Sequence, residues 1–460
     1  MGQLHFIDFL VLGFYLSTLI WIGFKNKESS NVPTDFILGG RKLGYGSFVA
    51  TLVTTWYGAI LGIGENTYLY GIQTWFIFSF PYYIFAFSYA IYIAPNINKT
   101  GLISIPDHFF NNYGKKSGVL SAILIIFLTS PAPYILSLGI LLQFIFNIGL
   151  EVSLILSTLF STIYIWNSGF KAVVKTDLLQ FILMFLSFII LIGFLWQSLG
   201  DPIQMIHGLP EKFLDPLGGN SAQYFFVWFF IAAWTFIDPG FYQRSAAAET
   251  PEVARKGILT AIIFWAIFDT LTIFCGLYAI NQLNLEKALF TFPTLAIDFL
   301  PIGFFGLFII GIIAIIMSTI DSLSFISALT IGRDIFWKIS PNSDNKKNIV
   351  YYIRFGLIIS AIISLSLAYI LPSVVGLLFT LGSVIIPSLI LPFLATLIFP
   401  EKKVSDSFAI KWIFFPLFIS ILWLYLSKVN FEFFQQIEPF YPGMFISLIF
   451  FLFLKVRNGN

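Results

Sequence analysis

The sequence predicts an all-α polytopic membrane protein, a reading that rests on composition, on the length of the apolar runs and on where the positive charges fall. Of 460 residues, 58% are hydrophobic and 10% charged, with a mean hydropathy of +0.89. Ordinary soluble proteins carry about 25% charged residues, so nearly the whole chain suits a low-dielectric surrounding. A helix crossing the hydrocarbon core needs about 20 mostly apolar residues. Thirteen runs meet that criterion, at 6–24, 46–71, 74–95, 117–147, 150–168, 175–198, 222–243, 257–281, 303–331, 349–371, 374–399, 409–427 and 440–455. They are numbered spans one to thirteen below. With the N-terminus outside, 22 of the 25 Lys and Arg residues fall on the inner side, leaving Lys212, Lys287 and Lys428 outside. Cytoplasmic loops concentrate these residues because their bias orients insertion, and a miscounted span would scramble the alternation. The expectation is a cell-membrane protein with its N-terminus outside and its C-terminus in the cytoplasm.

Span one follows "MGQLH", which lacks a basic stretch and a small-residue cleavage site, so a retained helix is expected rather than a signal peptide. Span two, in "ATLVTTWYGAILGIGENTYLYG", carries Gly58, Gly62 and Gly64. Each glycine weakens a helix by about 1 kcal/mol relative to alanine, and Thr54 and Thr55 are placed to satisfy backbone groups at a break. Broken helices at mid-membrane expose carbonyls to ions in secondary transporters, whereas small residues alone also serve close helix packing. Trp56, Tyr57, Glu65 and Asn66 favour a ligand cavity. Between spans three and four, residues 105–113 predict a short interfacial amphipathic helix.

Asp177 opens span six in "GFKAVVKTDLLQF", as a solvated helix cap or as a site residue. Asp269 sits near the centre of span eight, in "FWAIFDTLTIF", where either an interhelical bond or a solute contact would occupy it. Span nine holds the strongest signal. Its "GIIAIIMSTIDSLSF" places Ser318, Thr319, Asp321, Ser322 and Ser324 inside an apolar run that meets no further charge until Arg333. An ionised Asp at a span centre costs roughly 2.5–3.5 kcal/mol even on the mildest scale. Residues three and four apart share a helix face, which aligns Ser318, Asp321 and Ser322. Oxygen donors without thiol or imidazole suit a hard cation. Cys275 is the single cysteine and forms no intramolecular disulfide. The histidines His5, His108 and His207 fall at span ends or in loops, which weighs against haem or copper, and no Lys or Arg falls at a span centre. A net charge of +2 gives no sign of a nucleic-acid partner; the expected partners are a small-molecule solute and the lipid bilayer, with oligomeric state unreadable.

These residues carry a resemblance. "GGRKLG", "GFKAVVKTDLLQ", "DPGFYQRSAAAETPEVARKG", "GLYAINQL" and "GIIAIIMSTIDSLSFISALTIGRDIF", covering roughly residues 35–340 in order, resemble the sodium/solute symporter family, whose members have a LeuT-type core of two inverted five-helix repeats. The resemblance implies an extra N-terminal helix at 6–24, repeats at 46–198 and 222–399, and two trailing helices at 409–455. It implies a transported sodium ion held by the hydroxyls of Ser318 and Thr319 and the carbonyls of Leu52, Thr55 and Ile315. A second sodium or a proton would use Asp177, Asp321 and Ser322. Thr54 stands where some relatives carry an acid. Trp56, Tyr57, Gly58, Glu65 and Asp269 would face the solute, walled also by spans three, four, seven and eleven. The function implied is sodium-coupled uptake of a small polar organic solute by alternating access. A proton symporter on the same fold is the alternative. A channel lacks a filter motif here, a sensor lacks a signalling module, and an enzyme lacks a His-based acid/base pair within the spans.

Overall fold

Apolar runs become helices throughout. The computed structural model describes residues 5–25, 33–166, 169–340, 349–401, 404–429 and 432–456. Among the expected inner-loop cations, Lys27, Lys346, Lys347, Lys402, Lys403 and Arg457 lie outside the described residues. Among those described, nine helices are long and apolar enough to cross a membrane, and spans one, five and thirteen appear as the shorter helices Phe6–Lys25, Leu150–Ile165 and Phe440–Val456. Span eight is longer than expected, Pro251–Gln282, because Thr250 caps it by accepting the Val253 N–H. Span four is interrupted at Thr129–Pro131, between Lys115–Leu128 and Ala132–Phe146.

Span nine, Phe304–Leu329, is the central post, buried without interruption from Phe308 to Leu329 and packed against spans one, six and ten. Its start is fixed by Asp8 of span one, whose carboxylate accepts the N–H groups of Gly303 (3.1 Å) and Gly306 (3.0 Å). A buried acid satisfied by backbone donors stabilises this helix contact without a counter-cation.

Span two breaks where its glycine and hydroxyls suggested. Its first half is Tyr45–Thr54 and its second Ile60–Tyr70. Thr54 Oγ1 donates to the Ala50 carbonyl (2.9 Å) and Thr55 Oγ1 to that of Thr51 (2.6 Å), while the Trp56 N–H turns to Val53. The Leu52 carbonyl thereby loses its helical donor.

Span seven also breaks, which its unbroken hydropathy did not announce. Ala222–Ile231 tightens into a 3-10 stretch, Ala232–Ile237, before Asp238 turns extended and Pro239–Ala247 begins a new helix. Pro at the first helical position has no N–H to lose, and the Asp238 carboxylate caps the new start by accepting the Phe241 N–H at 2.8 Å. The two broken spans are neighbours, with Trp56 edge-on to Phe241 at 5.7 Å.

The short helix expected at 105–113 is present as Ile105–Asn112, but it does not lie exposed at an interface: Ile105 to Phe109 are buried. His108, expected in a loop, pairs with the Tyr242 hydroxyl (2.9 Å), and its other ring nitrogen faces Thr396 at 3.4 Å. Burial pushes its imidazole down to about 4, so it stays neutral at physiological pH. Beside it, burial alone would raise the Asp107 carboxyl, yet Arg333 and Lys338 hold it well below the usual carboxylate range. This cluster ties the loop helix to the end of span nine.

Candidate functional site

The break in span two delivers backbone oxygens to the middle of span nine. Thr319 Oγ1 donates to the Thr55 carbonyl at 2.9 Å and lies 3.3 Å from the Ile315 carbonyl one turn earlier. Neighbouring Ser318 donates instead to Asp177 Oδ1 at 2.6 Å, and Thr51 donates to the other carboxylate oxygen. Asp177 is therefore no solvated cap: it is fully buried within the helix Phe170–Leu199. That helix begins seven residues before it, which carries the carboxylate two turns into the bundle.

Arg244 completes the cluster, and the charge count had misplaced it as a loop residue. It is fully buried, because the second half of span seven returns it to the bundle interior. Its guanidinium donates to Thr51 (3.2 and 2.9 Å), Thr55 (2.6 Å), Ser322 (2.8 Å) and the Gly240 carbonyl (3.3 Å). It stands 3.7 Å from Asp177. Three hydroxyls and a carbonyl replace the water such a cation needs. The signal was present in "DPGFYQR", where a Pro-initiated helix follows the acid, but hydropathy alone does not read it.

Asp321 is also fully buried, yet neither of its carboxylate oxygens has a donor among the described residues. Ser324 is buried, and Ser322 is held by Arg244 and faces Thr55 at 3.3 Å. Thr54 bonds only back into its own helix. The site thus gathers Thr55, Ile315, Ser318, Thr319, Asp177, Asp321 and Ser322 in one region.

Beside it lies a cavity of about 120 Å³, walled by Trp56 and Tyr57 from span two, Tyr82 from span three, Tyr134 from span four, Trp234 from span seven and Val375 from span eleven. Leu52, Thr55, Asp238, Arg244 and Asp269 reach it as well. Asp269 makes an interhelical bond by accepting the Tyr83 hydroxyl, and it also lines the cavity. Glu65 does not line it. It follows Ile63 by two residues, which turns it about 200° round the helix from that lining residue. Asn66 donates to Thr74 at 2.9 Å, a packing role. Tyr82, Tyr134 and Trp234 were not singled out beforehand, because 56 Phe and 20 Tyr in one chain leave no aromatic pattern to stand out.

Gly58 does not face the cavity; it lets span two approach span nine. A Cβ there would lie 2.5 Å from Thr319 Cβ and 2.5 Å from Tyr134 Cδ1. Overpacking of that kind costs about 1–3 kcal/mol and displaces Thr319. Gly58→Ala should leave a folded protein whose uptake has lost its normal sodium response, read by initial-rate transport against sodium concentration.

The model of the sodium:solute symporter family matches residues 36–402. The chain is 25% identical over 405 residues to a high-affinity choline transporter of Drosophila melanogaster, covering 79% of this chain and 62% of that one. It is 24% identical to a sodium/glucose cotransporter of Vibrio parahaemolyticus, covering 75% and 71%, and 26% identical to the proline transporter PutP of Bacillus subtilis, covering 75% and 77%. The chain thus spans under two thirds of the Drosophila relative's length. A solved structure of a sodium-coupled sialic acid symporter, in a substrate-bound outward-open state, superposes with a TM-score of 0.78 at 17% identity, covering 98% of both chains. That likeness shows the LeuT-type fold.

Proposed function

Since the chain belongs to the sodium:solute symporter family, we propose that it is a multi-pass membrane transporter coupling inward sodium flow to uptake of a small polar organic solute by alternating access. The observation that carries this is the meeting of the Thr319 hydroxyl with the Thr55 and Ile315 carbonyls at the break in span two. Carbonyl and hydroxyl oxygens replace the hydration shell of a hard cation. The sodium ligands are Thr319, Ser318 and the carbonyls of Leu52, Thr55 and Ile315. Ser318 keeps a lone pair for the ion while its hydroxyl donates to Asp177. The paired breaks in spans two and seven support inverted repeats at 46–198 and 222–399. The Lys and Arg asymmetry supports an outside N-terminus and a cytoplasmic C-terminus.

Asp177 stands beside the Arg244 guanidinium, whereas Asp321 is buried with no hydrogen-bond donor and no paired cation among the described residues. An unpaired buried charge is expensive, so Asp321 takes one further positive charge, a second sodium or a proton. The experiment uses purified protein in proteoliposomes with a sodium gradient and pH clamped. Solute accumulation under sodium alone supports sodium coupling, and none at all, with uptake restored by a proton gradient, replaces it with proton coupling. Asp321→Asn then separates the two roles of the acid. A charge-to-solute ratio lowered by one marks a second cation; an unchanged ratio with a lost pH dependence marks a proton.

A further inference from the structure

The cavity carries a charge imbalance that points to its ligand. Three ionisable groups other than tyrosine line it: Asp238, Asp269 and Arg244. Arg244 is committed to Thr51, Thr55, Ser322, Gly240 and Asp177. Asp238 is committed to the start of the second half of span seven, where it accepts the Phe241 N–H, so that helix end is not free to take an anion. Asp269 differs. Its carboxylate accepts the Tyr83 hydroxyl and has no cationic partner among the described residues.

The walls match that surplus negative charge. Trp56 is the hub, with Tyr82 edge-on at 4.9 Å and Trp265 at 5.4 Å, and Tyr134 and Trp234 line the same cavity. Aromatic faces attract substituted ammonium ions through the ring quadrupole. Among the described residues no lysine or histidine side chain lines the cavity, so no second protein cation answers Asp269 there. The buried indole N–H of Trp234 has no acceptor among the described residues, which suits an oxygen acceptor on the ligand.

We propose that the solute is a small organic cation, a substituted ammonium carrying one hydrogen-bond acceptor, seated on Trp56 and Tyr82 with Asp269 as its counter-charge. This rests on the sodium-coupled reading above. The head group brings in one positive charge that Asp269 balances, and the acceptor oxygen meets Trp234.

The test is binding to the purified full chain in detergent by thermal shift and calorimetry, first with sodium alone, then at saturating sodium with three probes. These are choline, its neutral isostere 3,3-dimethylbutan-1-ol, and glucose. Choline is expected to bind, the isostere far more weakly and glucose not at all. Removing one member of a buried charge pair is expensive, so Asp269→Asn should weaken choline roughly thirtyfold or more while leaving the isostere unchanged. Trp56→Leu should weaken choline by about tenfold. Equal binding of choline and its isostere, preference for glucose, or unchanged choline affinity in Asp269→Asn overturns the inference. If sodium alone still stabilises the protein in those cases, only the ligand class falls. If sodium has no effect on the wild-type chain, the transport reading falls with it.

Discussion

Replacing Thr319 by alanine raises the sodium concentration for half-maximal uptake steeply. The hydroxyl removed is the one that links span nine to the Thr55 carbonyl at 2.9 Å, so the substitution takes away one proposed ion ligand and the bond that positions a second. A hydrogen bond to a charged group contributes about 1.5–3 kcal/mol, which corresponds to roughly 10- to 100-fold in sodium requirement. Thr319→Ser keeps the oxygen and should restore most of the affinity, which separates ligation from packing. The measurement is initial-rate uptake against sodium concentration at fixed solute. An unchanged sodium curve in the alanine variant refutes the ligand assignment, whatever happens to the maximal rate.

Much of the fold was legible because hydropathy over about 20 residues reports directly on burial in lipid. The break in span two was legible too, since Gly58 and a pair of threonines mark it within one short window. The break in span seven was not. Its apolar character runs from Phe225 to Ile237 with only Thr235 intervening, and hydropathy measures environment rather than backbone path; only Asp238 before Pro239 betrays the new helix start. Arg244 was misread for a related reason. Counting charges by loop treats every cation near a span end as solvated, yet this one is folded back among Thr51, Thr55 and Ser322. The pairing of Asp177 with Ser318, 141 residues away, depends on the antiparallel packing of spans six and nine. Local pattern carries no trace of it. Glu65 shows a different gap, since polarity alone suggested a cavity residue and the helical turn sets it off the cavity wall.

Replacing Arg244 by leucine is the most damaging single change expected. Among the described residues the guanidinium is the cation paired with Asp177, at 3.7 Å, and both side chains are shielded from solvent. Deleting one member of a buried pair costs about 3–5 kcal/mol, because the remaining charge stays in low dielectric. Thr51 and Ser318 still donate to Asp177, but hydroxyl dipoles do not neutralise a full charge. Arg244→Lys should rescue little: a single ammonium cannot span Thr51, Thr55 and Ser322 together as the planar fork does. The double variant Arg244→Leu with Asp177→Asn removes both charges and should recover most of the lost thermal stability in detergent. Uptake should stay absent in it, because Arg244 joins the second half of span seven to Thr51 and Thr55 of span two and Ser322 of span nine, beside the proposed sodium ligands. Wild-type stability in the single leucine variant, or recovered uptake in the double variant, would show that the guanidinium only packs against these helices.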